Sequence, residues 1–225
     1  MGFTAPRQKP LAWAIPLIKS DTVPPSDRLP DRPQDLANVA REPSPTSARF
    51  RLRDETSAAH ERVDALYSRF DLAADEGYAA FLIAQARAFI PVEAALNEAG
   101  AGDIIADWAG RLRSDALAHD LAALGLKAAE PLPAPVFTTE AEILGGAYVL
   151  EGSRLGGSLL RRSVPADRPR AFMAASDPGR WRGFVAVLEQ RLTGQAAIEQ
   201  AISAALATFA VFERSATLTL GQDPL

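Results

Sequence analysis

The sequence predicts an all-α protein: a single-domain, multi-helix bundle over residues 49–216, behind a proline-rich N-terminal arm. Three observations carry this. From Arg49 onward alanine and leucine dominate, and apolar residues recur every three or four positions. Nowhere does an apolar–polar alternation or an Asn-Gly hairpin turn signal a strand. Nine of the seventeen prolines fall in residues 1–48, a stretch without sustained period.

The elements follow in order. Residues 1–48 read as a disordered extension. Helices are predicted over 49–70, 75–99 with a kink near Pro91, 101–111, 113–124, 139–163, 177–192 and 195–216. EPLPAPV (Glu130–Val136) and SVPADRPR (Ser163–Arg170) are proline-rich connections, and 217–225 is a flexible tail. With 225 residues, 48% of them hydrophobic, the chain can build a sizeable core.

Composition excludes several classes. A net charge of −4 argues against nucleic acid as the main partner. The absence of cysteine removes disulfides, thiolate catalysis and cysteine-ligated metals. With only two histidines, a histidine-rich tetrahedral zinc site is ruled out. No apolar run approaches the roughly 20 residues of a membrane span, and Leu11–Ile18 is short and holds Pro16. The expected location is cytoplasmic, with no membrane span.

The helix Arg51–Phe70 carries a stripe of Leu52, Thr56, Ala59, Val63, Leu66 and Phe70. His60 lies at its edge, near Thr56 and Tyr67. Arg53 projects from the same side two turns earlier, about 10 Å along the axis, and Asp64 follows one turn later. A half-buried imidazole suits a metal, and a cation two turns away suits an anionic group on the same ligand. A border histidine bonded to a neighbouring carbonyl has the same pattern. His119, beside Asp120, reads as a solvated surface residue.

The segment GGAYVLEGSRLGG (Gly145–Gly157) holds five glycines inside a helical stretch. Each costs roughly 1 kcal/mol relative to alanine. Gly145, Gly152 and Gly156 share one helical face, so the backbone there is open to close approach. Two partners fit: another helix, or a planar ligand. Glu151 and Arg154 make a membrane helix pair implausible.

Together these segments resemble the heme oxygenases, especially the bacterial biliverdin-producing enzymes associated with phytochromes. LRDETSAAHERVDAL (Leu52–Leu66) is similar to the family's proximal helix. YVLEGSRLGGSLLRR (Tyr148–Arg162) is similar to its bacterial distal helix. RWRGFVAVLEQ and AALATFAVFERS extend the resemblance to about Ser215. The resemblance implies heme as both substrate and cofactor, opened with O2 to biliverdin, carbon monoxide and ferrous iron. Electrons would come from an external donor such as ferredoxin or ascorbate. Biliverdin would pass to a bacteriophytochrome, or turnover would serve iron acquisition.

Residue by residue, it implies His60 as the ligand to the heme iron, with Thr56 beside it and Asp64 supporting the proximal side. Gly152 and Gly156 would cover the distal face, with Ser153 near bound oxygen. Arg53 would pair with one propionate. Tyr148 would serve the other, helped by Arg180 or Arg182. Arg154 departs from the pattern, which often has an amide there; it would contact a propionate, face solvent or disturb the distal waters. Two competing readings share the scaffold: a non-catalytic tetrapyrrole binder, and a ligand-free helical interaction module. A di-iron oxidase would need Glu-x-x-His pairs, and the chain has none.

Overall fold

A computed structural model of the chain describes residues 47–127, 129–174 and 177–221. The predicted N-terminal arm therefore lies outside the described residues up to position 46, as does 222–225. Among the described residues seven α-helices follow one another: α1 (Ala48–Tyr67), α2 (Asp75–Glu98), α3 (Ala101–Ile104), α4 (Ser114–Ala123), α5 (Glu140–Leu160), α6 (Pro178–Arg191) and α7 (Gln195–Leu220). There is no strand among the described residues.

Most of the stripe read on the first helix packs: Leu52, Thr56, Ala59 and Val63 are buried, whereas Leu66 is half-buried and Tyr67, outside the stripe, is buried beside it. α1 stops at Tyr67, and Phe70 reaches the core from the following turn. There it joins an edge-to-face cluster with Tyr67 and Phe81. The long helix α7 packs along α5, α1 and α2, whereas α1 and α5 make little direct contact with each other. α7 thus acts as a shared wall on which α1 and α5 both lean.

α2 runs through Pro91 without ending. A proline removes one helical hydrogen bond and frees the carbonyl four residues back. That carbonyl, on Arg87, accepts instead from the Leu132 N–H at 2.9 Å, so the proline-rich connection satisfies it.

Two predicted boundaries need correction. The helix expected over 101–111 breaks after Ile104. Ile105 is buried in extended conformation, with φ −112° and ψ 97°, and a separate 3₁₀ turn spans Trp108–Arg111. Burial of Ile105 and Trp108 outweighs the local helix preference, which Gly102 and Gly110 already weaken. The tail expected from 217 is helical as far as Leu220: Thr219 is buried and its hydroxyl donates to the Ser215 carbonyl at 2.9 Å.

Several helix starts are closed by side chains. Thr139 and Glu142 form a reciprocal capping box on α5, and Asp177 caps α6 ahead of Pro178. Others are closed from a distant element. Glu93 of α2 accepts from the Arg113 and Ser114 amides at the start of α4, at 2.7 and 2.8 Å. Glu189 of α6 accepts from the Ala48 and Arg49 amides of α1, at 3.1 and 3.0 Å, and from the Ser47 hydroxyl.

Asp120 corrects a further expectation. His119 is exposed as read, but its neighbour is fully buried and accepts from the Ala171 and Phe172 amides. The membrane reading is also refined. α2 and α7 are long and apolar enough to cross a bilayer, but both pack in the core of this bundle.

Candidate functional site

His60 stands on α1 at the edge of the buried stripe, and its ring meets Phe209 of α7 edge-on at 5.8 Å. Its Nδ1 lies 3.3 Å from an Asp64 carboxylate oxygen. Its Nε2 is buried and has no hydrogen-bond partner. Burial lowers the pKa of His60, against an opposing pull from Glu61, and so favours the neutral ring. A neutral imidazole with Nδ1 facing a carboxylate leaves the Nε2 lone pair free for a metal. An unsatisfied buried nitrogen otherwise costs about 1–3 kcal/mol.

Other α1 residues surround it. The buried Thr56 hydroxyl donates to the Leu52 carbonyl at 2.7 Å. The guanidinium of Arg53 is partly exposed, paired with Asp54 at 2.8 Å and set over the Phe50 ring. Exposed pairs of this kind are weak, so Arg53 can exchange its partner at little cost.

α5 is the opposing wall. Gly152, Ser153 and Gly156 are buried. Tyr148, 2% exposed, sits against Trp181 of α6, and its hydroxyl interacts with the Thr56 side chain. Burial raises its pKa to about 12, so it is a hydrogen-bond donor at neutral pH. The structure therefore brings together Tyr148 of α5 and Thr56 of α1. They lie one turn from Gly152 and His60 respectively.

Ser153 and Arg154 are engaged on other sides of α5. The Ser153 hydroxyl donates to the Leu150 carbonyl and accepts from Arg113 at 2.8 Å. Arg154 donates to the Arg111 carbonyl and lies 3.6 Å from Glu151, roughly opposite the glycine face. It does not face solvent. Arg180 is bonded to the Gly110 carbonyl, and Arg182 is exposed on α6. Neither accompanies Tyr148.

Sequence reasoning missed a buried charge cluster behind α5. Arg111 pairs with Glu151, both 3% exposed, and with Asp107 at 2.7 Å. Arg113 donates to the Leu150 carbonyl at 2.7 Å and is held between the Phe89 and Phe172 rings at 4.5 and 5.0 Å. Burial and the Arg154 charge push its pKa down to about 9, which still leaves it charged at neutral pH. Near the same region, Gln85 of α2 is buried with an unpaired Nε2. The available signal was a lone polar residue inside an apolar helix, as at Glu151 and Gln85.

The glycine face divides in two. A Cβ on Gly145 would collide with the backbone of Ala201 in α7, whose Cα would be 2.9 Å away. On Gly146 it would press on the Phe137 ring at 2.6 and 2.7 Å. At Gly157 it would meet nothing within 4 Å. The first two glycines serve packing within the bundle, whereas Gly157 does not.

No group of three or more metal-binding side chains exists among the described residues, so His60 would be a single protein ligand. That fits a heme, whose macrocycle supplies the other four donors.

No family model matches the sequence. Among curated proteins, a "Heme oxygenase" of Xanthomonas campestris pv. campestris is 41% identical over 112 residues, covering 47% of this chain and 67% of the relative. "Heme oxygenase PigA" of Pseudomonas aeruginosa is 29% identical over 166 residues, covering 65% and 82%. The NO- and CO-bound heme oxygenase from Neisseria meningitidis superposes with a TM-score of 0.68 at 25% identity, over 79% of this chain and 94% of that one. A histidine with a free buried nitrogen, a glycine-bearing helix packed on the same wall, and relatives that share both sequence and fold lead to one conclusion: the chain belongs to the heme oxygenase family.

Proposed function

We propose that this chain opens heme oxidatively to biliverdin, carbon monoxide and ferrous iron, with O2 and external electrons, and that His60 would hold the heme iron. The buried, unpaired Nε2 of His60 is the observation that carries this reading. When bound, the heme supplies both the ring that is cleaved and the iron that activates oxygen.

The protein's share is placement and polarity. Asp64 would hold Nδ1 and leave the Nε2 lone pair to the iron. A neutral histidine donates less electron density than a thiolate and does not favour O–O cleavage. Gly152 and Gly156 would let the α5 backbone approach the macrocycle, where a larger side chain would clash. Arg53, on releasing Asp54, would neutralise one propionate, and the Tyr148 hydroxyl, on leaving Thr56, would donate to the other. Ser153, held by Arg113 on another side of α5, would tie the distal helix to the charge cluster behind it.

The finer expectations complete the reading: cytoplasmic location, ferredoxin or ascorbate as donor, and biliverdin passed to a bacteriophytochrome. Hemin titration followed by reductant under air tests the activity. A one-to-one Soret complex that decays into broad red biliverdin absorbance is the expected result. A stable complex would identify a tetrapyrrole binder instead, and no complex would identify an interaction module.

A further inference from the structure

We propose that α6 is a strut that fixes the distance between α1 and α5, anchored at each end by charge, and that Glu189 and Arg111 are its positioning residues. α7 packs along both α1 and α5, and α6 is a second element that touches both, each through a small contact.

At one end, the Glu189 carboxylate is shared by the Ala48 amide, the Arg49 amide and the Ser47 hydroxyl. Ser47 makes no side-chain cap of its own, so this first turn depends on α6. At the other end, Arg111 donates to Glu151 of α5 and, at 3.0 Å, to the Arg180 carbonyl of α6. Arg180 returns a bond to the Gly110 carbonyl, which closes the joint. The joints are nine residues apart along one helix, about 13.5 Å of rigid rod. Trp181, set between Tyr148 and Phe184, packs the same helix against α5.

In a series connection, either break removes this link at both walls, while α7 still holds them. The α1 joint is opened by Glu189→Ala. The α5 joint is opened by Arg111→Met with Glu151→Gln, which removes the buried ion pair and keeps an amide oxygen towards Arg154. Each is expected to weaken hemin binding about five- to tenfold, and both together no more than about tenfold. This affinity arm rests on the heme-binding reading. Hydrogen exchange on the heme-free protein does not, and it decides the matter even for a protein that takes up no hemin.

There, opening the α5 joint should speed exchange of the Ala48 and Arg49 amides about fivefold, although those amides touch neither substituted residue. A double effect equal to the product of the singles, or α1 amides unmoved by the α5 joint, would overturn the strut. A purely local stabilising role for Arg111 predicts that second result.

Discussion

The two halves of α5 use glycine for different ends. In the first half, Gly145 admits the Ala201 backbone of α7 and Gly146 admits the Phe137 ring. In the second, Gly152 and Gly156 continue the same face and are buried, while a side chain at Gly157 would meet open space. One helix thus carries a packing seam against α7 and, two to three turns later, the glycines to which the proposed function assigns ligand cover. Glycine number alone does not distinguish these uses; what faces each position does.

Substitutions along the helix test the division. Gly145→Ala should have the largest effect, because a backbone carbonyl cannot move aside as a side chain can. We expect a loss of about 3 kcal/mol, at the upper end of ordinary overpacking, or about 10 °C in Tm by calorimetry. Gly156→Leu should leave far-UV helix content intact and weaken hemin binding at least about tenfold, some 1.4 kcal/mol. Normal affinity and normal biliverdin yield from this variant would remove the ligand-covering role of the second half.

Gly146→Ala should cost about 1 kcal/mol in thermal unfolding, since the Phe137 ring and Leu96 can shift. Gly157→Ala should be neutral or stabilising by up to about 1 kcal/mol, the helix penalty it relieves. Destabilisation there would mean that the second half also packs against protein.

The pH dependence of His60 is a smaller effect. Its folded pKa lies below 6.5, first because of burial. As pH falls below 6.5 the unfolded chain takes up this proton before the folded one does. Folding stability from this group therefore declines from about pH 6.5 downward to the folded pKa. Over the same window the imidazole stays neutral in the native protein. Hemin binding followed at the Soret band should persist below pH 6.5. Loss of the complex centred above 6.5 would contradict the lowered value.

Much of the fold was legible because its signals are local. The 3,4 stripe of Leu52, Thr56, Ala59 and Val63 needs only one helix to interpret, and Thr139 with Glu142 marks the start of α5 within four residues. The break at Ile105 was not, because its cause is tertiary burial. His60 and the glycines could be singled out from type and spacing. Arg111 and Arg113 could not, because their partners Glu151 and Ser153 lie 40 residues away in sequence. Arg154 shows the same limit: its side chain is governed by the Arg111 carbonyl, which no pattern along the helix reveals.

The most direct test of the central claim is a hemin titration of His60→Ala beside the wild type, read by absorption spectroscopy. The account predicts a histidine-ligated one-to-one complex for the wild type and loss of that spectrum in the variant, restored in part by added imidazole. A variant spectrum identical to the wild type would contradict His60 as the iron ligand and place the heme elsewhere than between α1 and α5.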